Sequence, residues 1–185
     1  ITAGIPLTLH LPQYPEFTAI ESPTRSALQN EKVTISVFSK HLQWLDFTEM
    51  GQVAAEIGFD GVDITVRSGG HVLPERVTED LPKAVEAVRK AGLNVFMITT
   101  GINNAAAPYA ENVLKTASGL GIRHYRTGYL HYDEAKSVEE NLVVMQEQLA
   151  GLASLNKKYA INGEYQNHSG NYFGAAIWDL YMVLK

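Results

Sequence analysis

The sequence predicts an α/β fold, a (β/α)8 TIM barrel that appears here truncated after about five βα units. Three observations carry this. Strand-like and helix-like runs alternate from residue 33 to the end, and alternation of this kind calls for a parallel sheet with helices outside it. Strand starts recur at roughly 30-residue intervals, the size of one βαβ unit. Two of the strands alternate polar with apolar residues, which suits a polar barrel lumen beneath an apolar outer face. An open doubly wound sheet would bury both faces of its strands and read as apolar throughout.

The elements follow in order. Residues 1–32 are punctuated by Pro6, Pro12, Pro15 and Pro23 and hold no apolar period; they read as an irregular arm, with a partly ordered tail as the alternative. Residues 33–185 form the barrel part. A first strand over 33–38 leads to a helix with Asp46 as N-cap, Glu49 as capping-box partner, Leu45 and Met50 as a staple, and Gly58 as the stop. Phe47, Met50, Ala54 and Ile57 follow at helical spacing. The second strand, 61–67, sets Val62, Ile64 and Val66 on one side and Asp63, Thr65 and Arg67 on the other. After a Gly-rich loop, a helix begun at Thr78 turns Leu81, Val85 and Val88 inward. The third strand is 94–99, and its helix opens with Pro108 in the first turn. The fourth strand, 122–127, precedes a long helix capped by Ser137 and Glu140, with Val138, Leu142, Met145, Leu149 and Leu152 as its inner row. The fifth strand, 160–166, sets Ala160, Asn162, Glu164, Gln166 and His168 on one side. Ile177, Leu180, Tyr181 and Leu184 mark a fifth helix.

Composition excludes several functions. The net charge of −5 and the scattered fifteen Lys and Arg give no basic stripe for nucleic acid. No apolar run is long enough to span a membrane. With no cysteine, disulfides, thiolate metal sites and a cysteine nucleophile are ruled out. Ile1 in place of Met points to a removed initiator or signal segment and leaves cytoplasm and periplasm both open. No P-loop, dinucleotide fingerprint, Gly-x-Ser-x-Gly elbow or His-Glu-x-x-His pattern occurs.

In parallel α/β barrels the site lies at the C-terminal strand ends. Those ends offer Lys40 and His41; Asp63, Arg67 and His71; Thr99, Thr100 and Asn103; Arg126, Tyr129 and His131; and Glu164, Gln166 and His168. Glu164, Gln166 and His168 alternate, so all three aim into the lumen. They suit either a partial shell for a hard cation or a hydrogen-bonded network without metal. Asp63 suits a base or an ion pair with Arg67. Arg126 suits recognition of a carboxylate or phosphate, or a lumen salt bridge. His71 is placed to reach over the mouth, with a solvated surface role as the alternative. His41 with Trp44 offers a wall for a sugar face. His10, His124 and Asp60 carry only structural readings.

At these residues the chain resembles a known family. Gly58-Phe59-Asp60-Gly61-Val62-Asp63, Gly119-Leu120-Gly121-Ile122-Arg123 and Glu164-Tyr165-Gln166-Asn167-His168-Ser169-Gly170 look like strand-two, strand-four and strand-five segments of the xylose isomerase-like barrels, the sugar phosphate isomerase/epimerase superfamily. The resemblance implies a sugar (phosphate) isomerase or epimerase that removes a proton beside a carbonyl with help from Mn²⁺, Mg²⁺ or Zn²⁺. It implies Glu164 and Asp63 as catalytic groups and Glu164 and His168 as metal ligands. With the strand-end reading added, His41, Arg67, His71, Arg126, Gln166 and His168 are the substrate-side candidates. Aligning His168 with the family's histidine puts Gln166 at the ligand position, with Glu164 one inward step deeper. A metal-free carbohydrate-binding barrel, or a lyase or hydrolase acting on an oxidised sugar, is the alternative. The expected partner is a small sugar or polyol, with self-association left open.

Overall fold

The structure is a computed structural model that describes residues 33–185; the expected N-terminal arm, residues 1–32, lies outside them. Five parallel strands, β1 (Ser36–Phe38), β2 (Gly61–Val66), β3 (Met97–Thr100), β4 (His124–Arg126) and β5 (Asn162–Glu164), lie in sequence order in one sheet. Five helices alternate with them: α1 (Phe47–Ile57), α2 (Val77–Lys90), α3 (Ala110–Gly119), α4 (Val138–Tyr159) and α5 (Ile177–Leu184). Sequential parallel neighbours joined by helices are the first five units of a (β/α) barrel. Among the described residues, no helix is long and apolar enough to cross a membrane.

The helices start where local chemistry dictates. Asp46 accepts from the backbone N–H groups of Thr48 and Glu49, while Glu49 accepts from the Asp46 backbone. Ser137 and Glu140 repeat this box at α4. Each box satisfies N–H groups that the helix cannot pair internally. Gly58 closes α1 at φ 99°, a conformation that costs glycine little. Asp46→Ala is therefore expected to destabilise the protein by about 1 kcal/mol. Urea unfolding followed by far-UV circular dichroism checks it, with an unchanged midpoint counting against the cap.

One face of β1 to β4 is apolar and packs on the helices. Val62, Ile64, Val66, Ile98, Tyr125 and Ile161 are buried with Leu81, Val85, Val88, Val113, Leu114 and Leu152 in one cluster. The Tyr125 hydroxyl reaches the Asn156 side chain on α4 at 2.9 Å, which fixes Tyr125 on the helix side. Its neighbours His124 and Arg126 therefore face the lumen. A second cluster of Leu130, Met145, Phe173 and Val183 seats α5.

Several boundaries differ from the sequence reading, each for a local reason. Helix α2 starts at Val77 rather than Thr78, following a 3-10 turn over Pro74–Arg76. Pro108 lies outside α3, because Tyr109 takes φ 62° as N-cap and the helix begins at Ala110. Ala160 is no part of β5: at φ 48° it ends α4 in a left-handed turn. Val138, expected on the inner row of α4, is exposed, as are Ile57, Ile177, Tyr181 and Leu184 of the apolar spacings, while Gly51, Asn141 and Val183 are buried. The β3 pairing begins early as a bridge from Gly61 to Asn94 and resumes regularly only at Met97.

Candidate functional site

Strand register builds the site in rows. Thr65, Thr99, Arg126 and Glu164 are consecutive partners across β2 to β5, and Phe38 is level with Asp63 on β1 and β2. Because side chains alternate along a strand, these polar groups gather on the lumen side while their apolar neighbours fill the outer core.

Asp63 is the most perturbed group in the lumen. The Thr99 hydroxyl donates to its Oδ2 at 2.7 Å, whereas its buried Oδ1 has no hydrogen-bond partner. Burial pushes the carboxyl up from 3.8 to about 6; the Thr99 hydrogen bond and the Arg126 and Arg67 charges offset only part of this. An unpaired buried carboxylate resists charging. Asp63 thus combines a titration near neutrality with a free oxygen, the properties of a proton-transfer group.

Above it, Arg126 Nη1 donates to Gln166 Oε1 at 2.6 Å, and the Tyr129 hydroxyl donates to the same oxygen at 3.2 Å. Arg126 stands 5.3 Å from the Phe38 ring centroid and 5.9 Å from that of Tyr129, while Arg67 stands 5.8 Å from Phe38. His41 meets the same Phe38 ring edge-on at 5.9 Å. Trp44, expected beside His41, is 76% exposed and has no ring contact among the described residues.

Glu164 sits deeper than Gln166, with Oε1 2.6 Å from His124 Nδ1. His124, read from the sequence as structural, lies two residues before Arg126 on the same strand, which puts it in the lumen. His168 does not join Glu164. It packs against Tyr129 and Tyr172, the latter also in contact with His131, and its Nδ1 meets the Ser169 carbonyl at 2.9 Å.

His71 is held in place. The loop folds back on β2 through Gly69 at φ 64°, and the His71 backbone N–H donates to the Thr65 hydroxyl at 2.9 Å. The imidazole is half-buried, and its two nitrogens have no partner of hydrogen-bonding geometry. Burial pushes its pKa down, opposed by the Leu42 and Leu45 main chains, so the ring is biased to the neutral form. Sequence reasoning also missed Phe38 and Tyr172. The inward alternation of Ser36 and Phe38 marked the first; nothing in spacing marked the second.

Solved structures with the same fold include 3-keto-D-glucoside 4-epimerase YcjR from E. coli (13% identity, TM-score 0.59, covering 82% of this chain and 65% of that one). A putative xylose isomerase from Rhodospirillum rubrum matches at 15% identity and TM-score 0.55, over 71% of this chain and 52% of that one. The fold is that of the xylose isomerase-like barrels. The IolI protein with a bound zinc atom shares it at 15% identity and TM-score 0.60, over 83% of this chain and 60% of that one. The chain thus spans roughly half to two thirds of the length of these structures. No protein-family model matches the chain, and no curated protein matches it in sequence.

The residues that this xylose isomerase-like fold brings together do not fit a divalent cation. Among the described residues, no three His, Asp or Glu side chains converge to hold one. Gln166 Oε1, at the expected ligand position, already accepts from Arg126 and Tyr129. A cation there would face a guanidinium of like charge, and a neutral amide oxygen offers a hard cation little in return.

Proposed function

We propose that this chain belongs to an enzyme that moves a proton beside the carbonyl of a sugar, as an isomerase or epimerase does. The observation that carries the reading is Asp63, whose carboxyl titrates near 6, with one oxygen oriented by Thr99 and the other unpaired. The 3-keto-D-glucoside 4-epimerase that shares the fold supports the same reaction class. In it, the free Asp63 oxygen takes the proton next to the carbonyl, and electron density moves onto the carbonyl oxygen. The Glu164–His124 pair is the second proton carrier. In an epimerisation it returns a proton to the opposite face of the same carbon. In an isomerisation it delivers one to the former carbonyl carbon as the neighbouring hydroxyl gives up its own. Gln166, Arg126 and His41 orient the substrate, His71 covers the mouth, and His168 with Tyr129 and Tyr172 offers ring faces to a pyranose.

The family resemblance implies divalent-metal assistance, and the IolI protein holds a zinc atom, but the expected ligands Glu164 and His168 meet different partners here. The donor set described above does not fit that role, so no step is routed through a metal. The same misfit, with the exposed ring cluster, favours a metal-free carbohydrate binder as the second reading.

Deuterium incorporation from solvent into ketoses separates the two. Exchange into substrate supports the enzyme; binding without exchange supports the binder. Glu164→Gln is expected to lower product formation by about 100-fold while sparing exchange into recovered substrate, since only the return step loses its carrier. Equal loss of both would contradict the second-carrier role, and a change in affinity alone would favour the binder.

A further inference from the structure

Arg67 and Arg126 flank the Phe38 ring. Among the described residues neither makes a salt bridge, and Arg126 Nε is buried with no hydrogen-bond partner. Asp63 feels both charges only through space, too weakly to overcome its burial. Phe38, between them, offers a ring face and no acceptor. Among the described residues Arg126 meets one acceptor, Gln166 Oε1, which it shares with the Tyr129 hydroxyl. That orientation leaves the Gln166 amide NH₂ group without a hydrogen bond among the described residues. The lumen mouth therefore presents two guanidiniums and an amide donor, and the nearby carboxylates Asp63 and Glu164 bond elsewhere, to Thr99 and His124.

Buried N–H groups normally find acceptors, and a guanidinium fork matches the oxygens of a carboxylate or phosphate. We propose that Arg126, Arg67 and Gln166 bind the anionic group of the substrate, which is a sugar acid or a sugar phosphate and not a neutral sugar. The inference rests on the sugar-enzyme reading and names its substrate class. Arg126 acts on Asp63 through space, so an anion held at Arg126 leaves the uncharged part of the sugar to reach toward the free Asp63 oxygen. The arrangement also assigns Gln166 a purpose: it holds the guanidinium without neutralising it, as a carboxylate at that position would.

The test is equilibrium titration of the protein with D-glucuronate, D-glucose 6-phosphate and D-glucose. At least one anionic sugar is expected to bind about 10-fold or more tightly than glucose, with affinity falling as salt is raised. Arg126→Gln is expected to weaken that binding by about 10- to 100-fold and to affect glucose far less, so that the preference for the anionic sugar is lost. Arg126→Lys keeps the charge but not the fork; it should fold and bind with intermediate affinity, which guards against a folding defect in the first variant. Competition between glucuronate and glucose 6-phosphate identifies carboxylate or phosphate as the preferred group. Equal binding of all three sugars, binding of none, or undiminished anion binding by a folded Arg126→Gln variant overturns the proposal. Because binding is read without turnover, a protein that binds anionic sugars but fails the deuterium exchange loses only the catalytic reading.

Discussion

Asp63→Asn is expected to lower proton exchange by about 100- to 10,000-fold while making the protein more stable at neutral pH. The two effects have one cause. In the folded chain the Asp63 carboxyl is pushed up from 3.8 to about 6, so between those values the folded state holds a proton that the unfolded state has released. Stability is then highest below about pH 4, falls as pH rises through about 6, and is flat above it. At about 1.4 kcal/mol per pH unit, the full cost of keeping the carboxylate charged at pH 7 is on the order of 3 kcal/mol. Asparagine removes the charge, keeps the shape, and still accepts from the Thr99 hydroxyl. Urea unfolding of both proteins across pH 4 to 8, about the window set by these values, checks this. The difference between them should open as pH rises and stay constant beyond about 7. In wild type the exchange rate should climb over the same interval as the base loses its proton. If Asp63→Asn is instead less stable at pH 7, the carboxylate is a structural partner of Arg67 and Arg126, and its role as the proton carrier falls.

What the sequence disclosed and what it hid divide along physical lines. Both capping boxes were legible because each is complete within four residues, and the strand order followed from the βα rhythm. The lumen positions of Asp63, Arg126 and Gln166 were legible from period two. Partnerships across strands were not. Glu164 meets His124 and Gln166 meets Arg126 across 40 residues, and only the register of β4 on β5 decides which pairs form. The placement of His168 escaped the same pattern. Regular pairing of β5 ends at Glu164, so alternation no longer predicts direction four residues on, and rings from the following loop capture the imidazole. Helix faces failed at their ends, where Ile57 and Val138 follow the apolar period into solvent. The metal expectation came from family resemblance, and the contacts of Gln166 are what set it against the residues present.

Gly128→Ala is expected to destabilise the protein by roughly 3 kcal/mol, with a fall in melting temperature of about 6 to 12 °C. Gly128 follows β4 by two residues, and its N–H donates to the Ile102 carbonyl at 2.7 Å, tying the loops after β3 and β4 together. A Cβ at this position would collide with the Gly101 carbonyl oxygen and stand 2.7 Å from its carbon. Those are backbone atoms, so no rotamer change relieves the contact, and the two loops must separate. The displacement reaches function because Tyr129 is the next residue and Arg126 ends the same strand. Both hydrogen-bond the single Gln166 oxygen, and a shifted loop breaks that shared contact. Gly151→Ala is the control: its Cβ would meet only the Ala105 methyl at 3.3 Å, and a helix-interior alanine recovers about 1 kcal/mol of propensity. Thermal unfolding of the two variants, with titration of an anionic sugar, separates the outcomes. Gly128→Ala should lose stability and affinity together, whereas Gly151→Ala should keep both. A Gly128→Ala protein that melts as wild type but binds weakly would place the loop contact in recognition alone. One that melts and binds as wild type would show that β3 and β4 tolerate the separation, and the tight packing of their loops would not be what positions Arg126.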